Sequence, residues 1–409
     1  MSEDKQFYEY CRSYDYHRTL QTAIDKSEIT LSDKSLILEY LTEKQATDDL
    51  SDVRCNKITS HLVNWRRFLK PEYNECSITD IYQAINNLQK GKTRKGKPYK
   101  QNTKRDYVLI LKPFLIWLNI NDYNKLPIEK IKKISNPKAE RMTKTPDQIL
   151  SLEEIKELKD SCKNNRDRAL IMVLYESGCR IGELGRLKWK NTIFEDLGVK
   201  LYLDDRKGKQ YRYSRLTMSA EYLASWKKDY PDYDPDKHVF VDLNSYEPMG
   251  YDTMVRAISR VAERAKIEKK VHPHIFRTSR ITHMINQNYQ ESVIKKSMWG
   301  NLNTEMFATY VCLSEEDIDN EFLAKAGIIK PEEKVNPLLP ITCGQCHNIN
   351  AADSLFCGKC GFPLTPKAED LMFKNLNDYI DEIESDPEFK PLDQEYKKFE
   401  SSAREKLNK

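Results

Sequence analysis

Apolar residues recur three and four apart through the first third of the chain. SLILEYL (35–41), ITSHLVNWRRFL (58–69) and DYVLILKPFLIWL (106–118) all follow this spacing, which predicts an all-helical segment over residues 1–135. Pro113 falls inside the third run and predicts a kink. From residue 151 the pattern changes. Ser151 followed by Glu154 reads as a capping box that opens a helix. A second helix, rich in Leu, Ile and Val, runs from Asn165 to Tyr175 and breaks at Ser177-Gly178-Cys179. In IGELGRLKW, residues Ile181, Leu184 and Leu187 share one face, so Arg180 and Glu183 leave that core face together. VKLYLDD (199–205) and YRYSRLTM (211–218) alternate as strands, and RKGKQ between them predicts a hairpin tip turning at Gly208. A helix over 219–229, a Pro/Asp-rich loop, a short strand in HVFVDL (238–243) and an amphipathic helix over 251–266 follow. The class is α+β, mainly helical, with a small antiparallel sheet.

Two proline-containing stretches divide the chain. They predict a helical segment 1–135, a linker 136–150, a mixed segment 151–329, a second linker 330–340, a cysteine-bearing segment 341–364 and a helical tail 365–409. In the tail, Leu371, Met372, Leu376, Tyr379 and Ile380 predict one amphipathic helix.

Composition narrows the picture. Of 409 residues, 32% are charged and mean hydropathy is −0.73. The longest clean apolar run, Ala169 to Tyr175, is far short of the ~18–20 residues of a membrane span. The polar start, MSEDKQFYEY, does not read as a signal peptide, and a cytoplasmic location is expected. Net charge is only +4, so a nucleic-acid surface must be local. One local candidate is KGKTRKGKPYKQNTKR (90–105), with Lys90, Lys92, Arg94, Lys95, Lys97, Lys100, Lys104 and Arg105 and no acid. It reads either as a solvated loop or as a phosphate-contacting loop. Asn102 and Thr103 are candidate caps for the helix behind it.

Between 180 and 310 an ordered set of groups suits phosphate chemistry: Arg180 with Glu183, Lys207 in the hairpin, His274 with Arg277, a turn at Gly300-Asn301, and Tyr310. Two planar guanidiniums can each grip two phosphate oxygens without losing charge. A tyrosine can attack phosphorus, and His and Lys can move protons. Singly, none of these is specific. The chain has 23 tyrosines, and an Arg-x-x-Glu pair is commonly a surface ion pair. The order and spacing of the whole set resemble the active site of the tyrosine recombinases, the phage-type integrases, closely over 147–329 and by layout before it.

That resemblance implies a helical, SAM-like DNA clamp ahead of a catalytic domain. It assigns Arg180 and Arg277 as phosphate clamps, Lys207 as general acid, His274 as an acid–base group, Glu183 as a buttress and Tyr310 as nucleophile. It also implies a 3′-phosphotyrosine intermediate on double-stranded DNA, exchange through a Holliday junction, a homotetramer on two DNA sites, and no cofactor for catalysis. Two positions depart from the family. Asn301 stands where His or Trp is usual, with Trp299 two residues earlier as a partial substitute. Arg206 replaces a common glycine, which leaves Lys209 as an alternative to Lys207. His272 also lies nearby, but only His274 has an arginine three residues on.

Ten cysteines occur. Six are scattered singly, which predicts reduced thiols. Cys343, Cys346, Cys357 and Cys360 form two CxxC knuckles, the pattern of a closed structural zinc site. Similar ribbons follow the catalytic domain in some archaeal integrases, and contact with DNA or with a neighbouring subunit are both open to this one. The expected function is that of a mobile-element integrase. The alternatives are a Xer-like resolvase and a non-catalytic DNA-binding regulator on a decayed recombinase fold.

Overall fold

The computed structural model describes residues 15–140, 149–205, 210–310, 315–329, 336–385 and 398. The chain divides into two compact units, with the boundary between Thr143 and Lys144.

The described part of the first unit is helical: α1 (Tyr16–Asp25), α2 (Leu31–Asp48), α3 (Asp52–Trp65), α4 (Ile78–Lys90), α5 (Gln101–Ile120) and α6 (Ile128–Lys133). Capping sets the starts. Thr30 with Asp33, and Ser77 with Asp80, form reciprocal boxes at α2 and α4. The core joins Trp65, Tyr73 and Phe114 to Leu and Ile side chains from every helix of the unit. Its buried charge is paired. Asp33 receives Arg66 Nε at 2.8 Å and Tyr73 N at 3.2 Å. Nearby, the Trp65 indole donates to Tyr107 O. Helix α5 runs through Pro113 as one element. Its N-cap is Lys100, with no side-chain cap. Asn102 lies inside the helix and exchanges two hydrogen bonds with the Glu140 backbone. The expected Asn102 or Thr103 cap is therefore corrected, because the helix starts one residue earlier than the polar pair.

The second unit is mixed. Its elements are α7 (Leu152–Asp160), α8 (Asn165–Ser177), α9 (Ile181–Gly185), β1 (Thr192–Glu195), β2 (Gly198–Asp205), β3 (Gln210–Leu216), α10 (Ala220–Asp229), α11 (Tyr251–Arg264), α12 (Pro273–Asn286), α13 (Glu291–Trp299), α14 (Glu315–Lys325), β4 (Ile341–Thr342), β5 (Ile349–Asn350) and α15 (Pro366–Ser385). The expected Ser151–Glu154 capping box is present. Helix α8 is buried from Ala169 to Ser177 and packs against α7, α10 and α12. The longest apolar run is thus the centre of a packed core.

The sheet is antiparallel, in the order β1-β2-β3. Leu203 pairs with Arg212, Leu201 with Ser214 and Val199 with Leu216, and these positions form its buried face. The sequence pattern does not anticipate the short strand β1. HVFVDL is not a strand: it makes only isolated bridges, Lys188 to His238 and Val241 to Pro248. Val239, Phe240 and Val241 are all buried, so burial, not sheet pairing, explains their apolar character.

Candidate active site

Arg180 caps the short helix α9. Its backbone N–H donates to Glu183 Oε2 at 2.8 Å and its guanidinium meets Glu183 Oε1 at 2.7 Å. The two differ in exposure. Arg180 remains 45% exposed while Glu183 is 3% exposed, so the expectation that both leave the core face is corrected for Glu183. A second arginine, unforeseen, explains that burial. Arg212 on β3 is fully buried and reaches Glu183 Oε2 at 2.5 Å. Its other branch donates to Ser297 O at 2.7 Å. Arg212 thus ties the hairpin, the Arg180 turn and the end of α13 together. Burial alone would raise the Glu183 carboxyl; Arg212 and Arg180 hold it below its ordinary value. The sequence carries a faint signal: Arg212 is in phase with Ser214 and Leu216 on the buried face of an alternating strand.

Arg277 lies on α12, one turn after His274. It is almost fully buried and uses its fork on two carbonyls, Gly178 O and Met298 O, each at 2.7 Å. Gly178 is required there. Its φ is +55°, and a Cβ would fall 2.6 Å from Met298 Sδ. Burial, then Arg212 and Arg180, lower the Arg277 guanidinium to about 10, which leaves it charged at neutral pH. Among the described residues, Arg180 and Arg212 thus pair with one carboxylate, and Arg277 is close enough to feel both guanidiniums, an excess of positive charge suited to an anion.

Tyr310 follows a short 3₁₀ turn, Glu305–Thr309. It is 6% exposed and packs with Ile281, Met284, Ile294 and Met298. Trp299 stands against both groups, its ring centroid 5.8 Å from that of Tyr310 and 5.2 Å from the Arg277 guanidinium carbon. Burial pushes the phenol up, while Arg277, by charge and hydrogen bond, and then Arg180 pull it back.

His274 is exposed on the first turn of α12; His272 is the N-cap residue of the same helix and is also exposed. Gly300 ends α13 in the left-handed conformation, φ +74°. Asn301 follows, exposed, and its side-chain oxygen accepts from Asn303 N at 2.6 Å. Its oxygen serves the turn, leaving the amide N–H₂ as the group available for an anion. Lys207 and Lys209, with Gly208, lie outside the described residues.

Another carboxylate, unforeseen from sequence, organises the strand-to-helix junction. Glu176 accepts five hydrogen bonds, from Thr217 N and Oγ1, Met218 N, and Ser219 N and Oγ. It fixes β3 to α10 and so sets the strand that carries Arg212.

Elsewhere in this unit, Cys343 and Cys360 sulfurs lie 3.7 Å apart and those of Cys346 and Cys357 3.5 Å apart. All four are within 4.8 Å of one another. A tetrahedral ion with bonds of about 2.3 Å would set its sulfurs about 3.8 Å apart, so the donor set fits one. In the first unit, the basic stretch runs from the end of α4 through a tight turn, with a bridge from Lys92 to Pro98, into the start of α5. Lys90, Lys92, Arg94, Lys95, Lys97 and Lys100 are exposed, while Lys104 and Arg105 are half-buried. Arg94 pairs with Glu28 at 2.7 Å, and Lys104 donates to Gln89 O.

Residues 145–316 match the phage integrase family. This segment is therefore similar to the tyrosine recombinases of that family. Transposase A from transposon Tn554 of Staphylococcus aureus is 28% identical over 197 residues, covering 44% of this chain and 53% of the transposase. The match thus spans about half of that relative's length. A tyrosine recombinase of Pseudothermotoga lettingae is 27% identical over 254 residues, covering 60% of this chain and 81% of its own. A crystal structure of a lambda integrase tetramer bound to a Holliday junction shares the fold, with a TM-score of 0.52 at 14% identity. It covers 68% of this chain and 76% of that one. No helix among the described residues is long and apolar enough to cross a membrane.

Proposed function

We propose that this chain is a site-specific DNA recombinase that opens and rejoins strands through Tyr310. The observation that supports the reading is the set of Arg180 and Arg212 paired on buried Glu183, with buried Arg277 joined to buried Tyr310 through the Trp299 ring. Such a site disfavours its own charge and is stabilised by a phosphodiester. Arg180, the more exposed, and Arg277 would hold the non-bridging oxygens as negative charge builds at phosphorus. Glu183 would orient Arg180, and Arg212 would keep Glu183 in place.

In the reaction, the Tyr310 oxygen forms a bond to phosphorus and the bond to the 5′-oxygen breaks. The phenol proton leaves to a base, for which His274 is the candidate in the same helix as Arg277. The departing 5′-oxygen takes a proton from Lys207, with Lys209 as the alternative. A 3′-phosphotyrosine and a free 5′-hydroxyl result. Attack by the 5′-hydroxyl of a partner strand reverses the step and restores the tyrosine. Asn301 would contribute one amide hydrogen bond to the phosphate. The packing of Tyr310 against Trp299 of the same chain supports attack within one subunit.

The helical first unit would add its own contacts to DNA, with the 90–105 stretch meeting phosphates. Four subunits on two DNA sites would complete exchange, a reading supported by the fold shared with the lambda integrase tetramer. Likeness to a transposon's transposase supports a mobile element as the source of the substrate. Likeness to tyrosine recombinases named XerC and XerA keeps dimer resolution as the second reading. The four cysteines would hold one structural zinc as a ribbon.

The test is covalent trapping on DNA nicked beside the cut, where the short leaving fragment diffuses away. Wild type should give a denaturation-resistant protein–DNA adduct and Tyr310→Phe none, with noncovalent binding equal. Equal binding with no adduct from either protein would favour a DNA-binding regulator.

A further inference from the structure

The cysteine knuckles are seated on the second unit by a matched set of polar groups. Asp353, in the loop between the knuckles, takes Lys159 Nζ of α7 on one oxygen at 2.5 Å. It takes the Tyr222 hydroxyl of α10 on the other, also at 2.5 Å. The Lys159 ammonium lies 5.5 Å from the centre of the Tyr222 ring. Beside Tyr222 on α10, Glu221 accepts from the backbone N–H of Ala351 and from Ser354 Oγ. Lys159 is 3% exposed, while Lys156 on the same helix is 48% exposed. Burial would raise the Asp353 carboxyl, but Lys159 and Tyr222 hold it below its ordinary value. Charged, hydrogen-bonded pairs that exclude water on one side are the contacts that fix an orientation.

The same loop is what a metal would close. Asp353, Ala351 and Ser354 all lie between Cys346 and Cys357, whose sulfurs are 3.5 Å apart across the loop. Inside it, buried Asn350 accepts from Gly358 N at 3.0 Å and donates to Asn348 O at 2.9 Å. A segment this short has too little apolar surface to stay folded by burial, so metal binding would supply its folding energy. Closing the loop in advance removes entropy that docking would otherwise have to overcome.

We propose that metal binding by the four cysteines and docking of the 351–354 loop on α7 and α10 are one coupled event. The ribbon is then a metal-dependent mount on its own catalytic unit, its docking face already occupied and so closed to DNA. Loss of the metal would free Asp353 from Lys159 and Tyr222. The inference rests on the reading of the four cysteines as a metal site and is independent of the recombinase reaction.

The experiment is amine-reactive footprinting of the full chain in reducing buffer, read by mass spectrometry, alongside measured zinc content. In the zinc-loaded protein, Lys159 should label roughly tenfold more slowly than Lys156, the factor expected of an opening equilibrium of about 1.4 kcal/mol. Chelation of zinc, or Asp353→Ala with zinc retained, should bring Lys159 to the rate of Lys156. One zinc per chain with Lys159 already labelling at the Lys156 rate would overturn docking and leave the metal site standing. Protection that survives chelation, or protection in a protein that takes up no zinc, would overturn the coupling. Cys357→Ser should behave as the chelated protein; if that variant misfolds, Asp353→Ala still decides the matter, because its substitution is outside the knuckles.

Discussion

Two parts of this molecule are rich in basic residues, and they use them differently. The 90–105 stretch presents six exposed cations in one run, with individual pairings such as Arg94 to Glu28. The candidate site draws Arg180, Arg212 and Arg277 from three distant segments onto Glu183 and backbone carbonyls. Charge in an exposed run is screened by salt and holds a polyanion without fixing it. Charge gathered in a partly buried site is expensive to keep, is held in place by its partners, and acts on one phosphate at a time. The lesson is that a count of basic residues finds the first kind of surface, while only the fold creates the second.

Substitutions should separate the two. Arg277→Lys keeps the charge but loses the fork that reaches Gly178 O and Met298 O together. Single-turnover cleavage should fall about 10²–10³-fold with DNA binding little changed. Equal losses in both would place Arg277 with the 90–105 stretch instead. Arg212→Met leaves Glu183 buried with Arg180 alone. Breaking a buried pair in this way should cost about 3 kcal/mol in chemical denaturation. Cleavage should also slow, and the added loss from Glu183→Gln should be less than additive because the two act as a unit. Lys95→Gln with Lys97→Gln should weaken binding uniformly across DNA sequences. The slope of log affinity against log salt should fall by about 0.9 for each phosphate no longer neutralised. Cleavage of already bound DNA should be unchanged, as measured by single-turnover assay at saturating protein.

The smallest effect concerns pH. The folded state holds the Glu183 carboxyl below its ordinary value. Its stabilisation is therefore complete above that ordinary value and is lost as pH falls through the lower, folded one. Denaturation midpoints should decline on the acid side in wild type, and the decline should be shallower in Arg212→Met, where the partner that depresses Glu183 is gone.

The site was partly legible because some of its geometry is local. Arg180 with Glu183, and His274 with Arg277, are three residues apart on helical turns, so spacing alone places each pair together. Arg212 was only faintly legible: it is in phase with Leu216, but its partner lies 29 residues earlier in the chain, and nothing local to the strand points to it. Glu176 was missed for the same reason: it sits in an apolar helix and meets its donors only across the fold, at 217–219. HVFVDL misled because three buried apolar residues look alike in a strand and in a packed loop. The Asn102 cap failed because a helix can start without a side-chain cap when the residue before it is already extended, as Lys100 is. The helical class, the hairpin strands and the cysteine knuckles were all readable, since periodicity and short spacings encode them directly.

The most direct test of the central claim is mass spectrometry of the trapped protein–DNA adduct after nuclease digestion. One modified peptide is expected, carrying a nucleotide 3′-phosphate on Tyr310, with a free 5′-hydroxyl on the released strand. Attachment at another residue, or through a 5′-phosphate, would contradict the proposed chemistry.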